Sequence, residues 1–504
     1  MKFDVLNEPW IPVTDKNGKA FETGLYPLLK NAHELSEVRC DSPLETYAVQ
    51  RFIIAFLMDA YAPERPKHLK RILEGEKFDM GVIDAYIETC RSEGVTFDLF
   101  DKERPFMQAR YDEKLDKEKE TSAAKLFHAL PTGNNHLHFD HTPEDERSFA
   151  PAKCLRGILA TQLFAVSMAQ GYPSSVNDTP CYYVLIQGKN LFETLVCSMG
   201  AKNEFSCNWN DMPAAWRETQ PVIPKSEFAD LSVAAGLTWQ PRRIRLIPAE
   251  DGTVGEIIFQ QGRNFHPNGK WKDPHVSFRI NEKTGEAYSL KPKADRLPWR
   301  DIGTFIVSEN NKNSIPAAIV QHYPIIADSK IITIQLFGLI TDNAKYSGWI
   351  EDKLSIPIDI AENCEKADRL RLDIAFAENV ASVLSKAVRQ IERAASRSKD
   401  SKNKNGQLTE NVKAAFFAQL HNYIFGEYMQ RLEAAELSQA NWFENFVSDM
   451  TDTTLGIAQK LLKDTANELG STAAEFKEQN IALSSFYKEI SKLKKERECR
   501  TNEN

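Results

Sequence analysis

The sequence lacks the long apolar run of a membrane-spanning helix, and it lacks paired cysteines. Its longest apolar stretch, Phe52–Met58, is far shorter than the roughly 20 residues that cross a bilayer. Its eight cysteines are scattered without a C-x-x-C pair, which predicts reduced thiols and neither a disulfide framework nor a zinc knuckle. Because Asp4 and Glu8 lie where a signal peptide would be apolar, we expect a cytoplasmic protein without membrane contact.

The sequence also lacks a surplus of positive charge. Its 63 lysines and arginines face 71 aspartates and glutamates, which gives a formal net charge of -8 at pH 7. Proteins that coat nucleic acid by themselves neutralise phosphates with an excess of basic residues. Any contact with nucleic acid must therefore be local or shared with basic partners.

Catalytic motifs that can be recognised by their spacing are missing as well. The chain has no Walker loop, no G-x-S-x-G elbow, no H-E-x-x-H and no GxGxxG that opens a βα unit. We therefore expect a protein that is not an enzyme. The mixed charge run at 112–120 (DEKLDKEKE) is predicted to be a solvated face rather than a site.

One short string has the spacing of a metal site. Residues 136–141 read HLHFDH, which matches the pattern that holds zinc in metallo-β-lactamase-like hydrolases. No apolar strand precedes it, no helix-opening glycine follows it, and after His141 the next histidine is His266. These mismatches favour a metal-free recognition loop. The alternative is a zinc-dependent hydrolase with the ligands His136, His138, Asp140 and His141.

The hydrophobic pattern changes character at about residue 365. Before this point, helical periods alternate with runs rich in β-branched and aromatic residues. After it, the helical period continues through four amphipathic segments, and Thr472 with Glu475 forms a capping box. We predict an α+β fold with a mixed α/β recognition domain at 1–365 and a four-helix bundle at 366–504.

Several elements of the first part are marked by local signals. Ser42, Pro43 and Glu45 are the cap, first turn and capping-box residues of a helix. A second helical period runs over 151–170, where Gly171 offers a left-handed stop. Strand-like runs occupy 182–187, 237–247, 256–261 and 330–337.

The last of these runs leads into the polar turn formers TDNAK at 341–345 and then into an apolar alternation. This order predicts a hairpin with a projecting tip.

Basic residues cluster in the second half of the first part. Each cluster is either a solvated strand edge or a set of phosphate contacts, which place a duplex without identifying its sequence. The clustered residues are Arg242, Arg243, Arg245, Arg263, Lys291, Lys293, Arg296 and Arg300.

Six short motifs follow one another along the chain. They are LNEPWIPV at 6–13, PFMQ at 105–108, TGNN through FDH at 132–141, WQPR at 239–242, WKDPH at 271–275 and TDNAK at 341–345. Together they resemble the CasA family, the large subunit of type I-E CRISPR Cascade complexes. The resemblance spans the whole chain, including the helical end.

The resemblance implies a complex built on CRISPR RNA, in which base pairing identifies the target and protein recognises only a short flanking motif. The implied partners are CRISPR RNA, double-stranded target DNA, the backbone, 5′-handle-capping and small Cascade subunits, and a helicase-nuclease effector. No cofactor and no metal are implied. A loop of Leu137, His138, Phe139 and Asp140 is expected to anchor the subunit near the 5′ handle of the guide RNA.

The resemblance further implies three elements that touch the duplex. A wedge hairpin would push Asn343 under the first base pair, between Asp342 and a phosphate-binding Lys345. A basic finger would fall at Arg263.

A loop of Gly171, Tyr172, Ser174 and Ser175 stands where relatives have consecutive glycines. Glycine lets a backbone approach the minor groove closely, so this departure leaves the flanking motif open. In the bundle, the expected phosphate contacts are Lys399, Lys402 and Lys404.

Overall fold

A computed structural model describes most of the chain. The described residues are 1–130, 148–167, 171–177, 181–204, 212–281, 283–306, 314–342, 345–397, 406–436, 442–469 and 472–501. The chain forms two compact units, one of residues 1–298 with 312–355 and one of residues 299–311 with 356–504. The first unit mixes helices and strands and the second is helical, so the predicted α+β fold class is confirmed.

The first unit contains small sheets packed around helices. Its helices are α1 (Leu25–Asn31), α2 (Pro43–Tyr61), α3 (Pro66–Glu74), α4 (Met80–Ser92), α5 (Glu113–Asp116), α6 (Pro151–Leu163), α7 (Leu191–Cys197), α8 (Val233–Leu237) and α10 (Ala318–Ile326). Its strands are β1 (Ile11–Asp15), β2 (Ala20–Thr23), β3 (Leu35–Val38), β4 (Glu120–Ser122), β5 (Tyr182–Ile186), β6 (Glu227–Asp230), β7 (Arg242–Pro248), β8 (Val254–Gln261), β9 (Asn264–Lys270), β10 (Phe278–Ile280), β11 (Ala287–Ser289), β12 (Ser314–Ile315), β13 (Ile331–Asp342) and β14 (Lys345–Pro357).

The strands pair in five groups among the described residues. The orders are β2-β1-β3, β4-β8-β7, β11-β10-β12 and β14-β13-β5, with the parallel pair β6-β9. Helix α2 lies at the centre of the first unit, and every residue from Leu44 to Met58 is buried. The predicted start of this helix is confirmed, because the Ser42 hydroxyl accepts a hydrogen bond from the Glu45 amide at 3.2 Å.

Two predicted boundaries in the first unit are wrong. Helix α6 ends at Leu163 rather than near residue 170, and Gly171, at a φ of 80°, lies in the loop that follows. The predicted strand at 237–247 begins only at Arg242, because Ser232 caps the short helix α8 by accepting from the Ala235 amide at 3.0 Å. A hydrophobic run with a local cap therefore becomes helical.

The second unit is built from long helices and short helical segments. They are α9 (Ile302–Phe305), α11 (Ile358–Glu362), α12 (Cys364–Arg397), α13 (Gln407–Tyr423), α14 (Met429–Glu433), α15 (Trp442–Leu469) and α16 (Ala473–Thr501). A π-helical turn, Ile424–Tyr428, joins α13 to α14. The predicted capping box of α16 is confirmed, since the Glu475 amide donates to the Thr472 hydroxyl at 3.2 Å and the Thr472 amide donates to the Glu475 carboxylate at 2.9 Å.

A buried carboxylate holds three segments of the second unit together. Asp373 on α12 accepts hydrogen bonds from Arg369 on the same helix, from Tyr428 in the π-helical turn and from Arg497 on α16. Burial of Asp373 without these donors would be strongly unfavourable. The cluster therefore fixes how these helices pack.

Candidate nucleic-acid interface

The predicted hairpin is present as β13 and β14, which pair with each other. The backbone of β13 also pairs antiparallel with β5, from Ile334 opposite Ile186 to Gly338 opposite Tyr182. Beyond Gly338, β13 continues to Asp342, a distance of roughly 13 Å at about 3.3 Å per residue. The hairpin therefore extends beyond its pairing with β5.

The tip of this hairpin coincides with the TDNAK motif. Asn343 lies outside the described residues, and so do the side chains of Asp342 and Lys345. Their predicted roles in opening the duplex remain predictions. What the structure adds is the hairpin that carries them.

The base of the hairpin is held by a neighbouring extended segment. Pro292 packs against Gly338 so closely that a Cβ atom on the glycine would lie 2.5 Å from the proline ring. The Leu290 carbonyl accepts from the Tyr182 amide on β5 at 2.9 Å. On either side of Pro292, Lys291 and Lys293 are exposed and make no ion pair with a described residue. The two free ammonium groups therefore lie beside the hairpin base.

The hairpin also carries aromatic rings, which the sequence reasoning missed. Trp349 on β14 is 37% exposed, and its ring lies 5.9 Å from that of Tyr346. An exposed aromatic ring offers a stacking surface that accepts any base. The two aromatic residues Tyr346 and Trp349, which follow the turn formers directly, were the available signal.

The residues 171–177 form a loop that is fixed mainly by side chains from elsewhere. Gly171 is exposed with positive φ, and Tyr172 stacks on Phe259 with ring centroids 6.2 Å apart. Ser174 is half-buried, whereas Ser175 is buried and its amide donates to the Ala165 carbonyl at 2.9 Å. Of the predicted contact residues, Gly171, Tyr172 and Ser174 therefore reach the surface and Ser175 does not.

The far end of this loop is anchored by a buried ion pair. Asp273 pairs with Arg51 of α2 at 2.6 Å, and the same carboxylate accepts from the side-chain amide of Asn177 at 2.7 Å. Trp271 in turn donates to the Asn177 side-chain oxygen at 3.2 Å. Burial acts to raise the pKa of Asp273, yet Arg51 and the other donors hold it below its usual value. The WKDPH motif therefore supports the loop from beneath.

His275 completes this network as a neutral ring. Its Nε2 lies 2.7 Å from the Ser198 carbonyl and must donate, so its Nδ1 accepts from the Tyr47 hydroxyl at 3.0 Å. Burial lowers the pKa of His275 to about 4. Burial lowers the pKa of His128, which stacks edge-on against Phe164, to about 4 as well.

Most of the clustered arginines are buried and structural, so both predicted alternatives, a solvated strand edge and a set of phosphate contacts, are wrong for them. Arg243 is buried and pairs with Asp116 at 2.8 Å. The predicted solvated face at 112–120 is confirmed for the other charged residues of the run, which are exposed, whereas Asp116 lies in the interior. Arg300 in the second unit is buried and pairs with both oxygens of Glu378 at 2.7 Å.

The predicted finger cation Arg263 is likewise internal. It is 5% exposed, lies 3.5 Å from the Glu218 carboxylate and donates to the Gln220 carbonyl at 3.1 Å. Its guanidinium also stacks over the Phe228 ring at 5.5 Å. The desolvated ion pair keeps Arg263 away from the surface, which corrects the prediction of an exposed finger at this residue.

Two further motifs have structural roles. Trp10 of LNEPWIPV is fully buried and donates from Nε1 to the Val5 carbonyl at 2.9 Å. Gln108 of PFMQ donates to the Leu99 carbonyl at 2.6 Å and accepts from the Leu246 amide at 2.7 Å. These contacts explain the motifs without a ligand.

The remaining predicted contacts lie outside the described residues. In the predicted guide-handle loop, which also contains the alternative zinc ligands, they are His136, Leu137, His138, Phe139, Asp140 and His141; in the bundle they are Lys399, Lys402 and Lys404. Within the described ranges, no group of three or more His, Cys, Asp or Glu residues could hold a metal ion. No helix in these ranges is long and apolar enough to span a membrane.

Comparison with known proteins decides the family. The model of the family described as CRISPR-associated protein Cse1 matches residues 4–466. The chain belongs to this family. The resemblance found in the sequence is thereby confirmed, because the family is also named CasA in its curated relative from Thermus thermophilus. That relative is 27% identical over 420 residues, which cover 77% of this chain and 78% of the relative.

Solved structures of Cse1 proteins share the fold. Thermus thermophilus CasA superimposes with a TM-score of 0.75 at 21% identity and covers 98% of this chain and 99% of its own. Thermobifida fusca Cse1 gives a TM-score of 0.75 at 18% identity, with 98% of both chains covered. A chain of a structure titled "CRISPR RNA-guided surveillance complex" gives 0.75 at 17% identity, with 96% of this chain and 99% of that chain covered.

Proposed function

We propose that this Cse1-family chain is the large, non-catalytic subunit of a type I-E CRISPR surveillance complex. In this role it recognises the motif beside a target in duplex DNA, helps to open the duplex for pairing with the guide RNA, and recruits the helicase-nuclease. The single observation that carries the proposal is the β13–β14 hairpin, which continues past its pairing with β5 to the TDNAK tip. Family membership supports the complex as its setting.

The hairpin would act as a wedge. Asn343 at its tip enters beneath the first base pair, and unstacking one base step costs a few kcal/mol. Lysines offset this cost by contacting phosphates and releasing counterions. Lys345 is the nearest to the tip in sequence, and Lys291 and Lys293 offer two further exposed charges beside the hairpin base.

An exposed ring on the hairpin suits the separated strand. Trp349, with Tyr346 behind it, would stack on an unpaired base, an interaction worth about 1–3 kcal/mol per base. Such stacking holds a base of any identity. It therefore fits a subunit that leaves the sequence of the target to the guide RNA.

The loop at 171–177 would approach the flanking motif from the minor groove. Gly171 is exposed in this loop, and Tyr172 and Ser174 are half-buried. The minor groove distinguishes mainly A·T from G·C pairs. A loop with few glycines approaches the groove less closely than a loop of consecutive glycines does.

The other contacts of the proposal come from segments outside the described residues. Leu137, His138, Phe139 and Asp140 would hold the 5′ handle of the CRISPR RNA and the neighbouring subunits. Lys399, Lys402 and Lys404 would guide the displaced strand along the bundle, which docks the small subunits. Stoichiometric zinc in the purified protein would instead favour the hydrolase built on His136, His138, Asp140 and His141.

The wedge can be tested with two DNA substrates. We expect the double variant Asn343→Ala, Lys345→Ala to weaken binding to a matched duplex by about tenfold or more, because each unstacked step costs a few kcal/mol. Binding to a pre-opened target, in which the two DNA strands are mismatched at the first base pairs, should stay nearly unchanged. Lys353→Ala, which removes an exposed lysine from the same strand, is the matched control. Equal weakening on both substrates would refute the wedge.

A further inference from the structure

Arg242 lies beneath the loop at 171–177, and its guanidinium lies between two backbone carbonyl groups. It is 2% exposed. Its Nη1 donates to the Pro173 carbonyl at 2.6 Å and its Nη2 donates to the Val166 carbonyl at 2.7 Å. One rigid, planar group thus bridges the backbone on both sides of the segment that contains Gly171.

Arg242 is itself held in place from α6. The side-chain amide of Gln162 donates to the Arg242 carbonyl at 2.8 Å and accepts from the Arg242 amide at 3.0 Å. The guanidinium also lies 5.2 Å from the centre of the Tyr172 ring. The bridge is therefore fixed to the buried part of the unit, and one of the exposed loop residues rests on it.

The charge of Arg242 is unusual for the interior of this unit. Arg51 and Arg243 each pair with a buried aspartate. Arg242 forms no ion pair with a described carboxylate, and its guanidinium donates to three carbonyl oxygens instead. Burial lowers the pKa of Arg242 to about 10, which still leaves it charged at neutral pH. Burial of a cation without a counterion is energetically unfavourable. Unfavourable features of this kind concentrate at functional sites.

We infer that Arg242 is a positioning residue for recognition of the flanking motif: by bridging Val166 and Pro173 it fixes the loop that presents Gly171, Tyr172 and Ser174. This inference rests on the proposed function of the loop. A loop held in one conformation discriminates among sequences more strictly than one that adapts to each of them. Loss of the bridge therefore relaxes specificity.

The test compares variants of two arginines on the same strand. Arg242→Met removes the bridge, and Arg242→Lys keeps the charge but has a single donor head. Arg245→Met is the matched control, because Arg245 is half-buried on β7 and its donors lie 3.4 Å from the Ala109 and Lys102 carbonyls. Assembled complexes are measured on duplexes that differ only in the flanking motif.

We expect the ratio of affinities for the best and the worst flanking motif to fall by about tenfold in Arg242→Met, the equivalent of one good base contact. Arg242→Lys should retain an intermediate ratio, and Arg245→Met should match the wild type. Binding to a pre-opened target should change by less than about twofold, because no loop contact is needed there. A ratio that Arg242→Met leaves intact would overturn the inference.

Hydrogen exchange supplies a readout that does not depend on DNA. The Ser175 amide is bonded to the Ala165 carbonyl across the bridged segment, so its exchange should accelerate in Arg242→Met and not in Arg245→Met. Unchanged exchange would overturn the bridge even if the variant melted at a lower temperature. Failure of the proposed function has a different signature, since the wild-type complex itself would then bind all flanking motifs equally.

Discussion

The loop at 171–177 and the hairpin of β13 and β14 are both proposed to approach DNA, but they are held in opposite ways. The hairpin is held by its own backbone ladder and by β5. The loop is held mainly by side chains of other elements, with Arg242 at one end and Asp273 at the other. Backbone ladders tolerate most substitutions, whereas a loop that depends on single buried side chains does not. Changes of one residue should therefore disturb the loop first.

The largest effect should come from the loop's buried ion pair. Asp273→Ala leaves the Arg51 guanidinium buried without its carboxylate, which we expect to cost about 3–5 kcal/mol of unfolding free energy. Glu351→Ala is the control, since it removes an acid from a partly exposed pair with Arg39 and should cost less than about 1 kcal/mol. Urea unfolding measures both. Similar losses of unfolding free energy in the two variants would show that the buried ion pair matters no more than the partly exposed one.

Acid should act on the same region through histidine. The pKa of His275 is about 4 in the folded protein and 6.5 in its ordinary state, so the unfolded chain binds more protons between these values. Stability should fall as the pH drops from about 6.5 to about 4, by up to about 3 kcal/mol for this residue.

The pH effect can be assigned by substitution. His275→Gln should remove about one proton from the pH dependence of unfolding, and the contribution of His128, which titrates over the same range, should remain. An unchanged slope in His275→Gln would show that His275 is not held neutral.

A smaller effect is expected at the base of the hairpin, where sterics rather than polar contacts matter. Gly338→Ala would place a Cβ atom 2.5 Å from Pro292, and such overpacking costs about 1–3 kcal/mol. Gly348→Ala is the matched control on the partner strand, because its Cβ would meet only the end of Ile340 at 4.0 Å. Thermal unfolding should give a lower melting temperature for Gly338→Ala than for Gly348→Ala. Equal melting temperatures would argue against close packing of Pro292 on Gly338.

The smallest effect should follow from Tyr172→Phe. This change removes a long hydrogen bond of 3.4 Å to the Phe259 carbonyl but keeps the ring that stacks on Phe259 and on Arg242. We expect less than about 0.5 kcal/mol, since hydrogen bonds of ideal length contribute only about 1 kcal/mol. Exchange of the Ser175 amide should stay slow. Fast exchange in Tyr172→Phe would show that the hydroxyl, and not Arg242, holds the loop.

Features with local signals could be predicted from the sequence. Turn formers between two apolar runs predicted the hairpin, and Ser42 with Glu45 predicted the start of α2. The capping box at Thr472 predicted the last helix in the same way. Each of these signals acts within a few residues of the structure that it determines.

The supports of the loop could not be predicted, because their partners are distant in sequence. Arg242 and Arg243 are neighbours in a basic cluster, yet one bridges carbonyls of the loop and the other pairs with Asp116. Arg263 looked exposed because it follows a glycine in a turn, while three strands and a helix separate it from its partner Glu218 in the sequence. Burial and pairing are set by tertiary packing, which single-sequence patterns do not contain.

The most direct test of the account measures opening of the first base pair. A fluorescent base analogue at that position of a matched duplex reports strand separation by complexes assembled with and without this chain. We expect opening only when the chain is present, to an extent that depends on the flanking motif. Equal opening in its absence, or opening that ignores the flanking motif, would contradict the account.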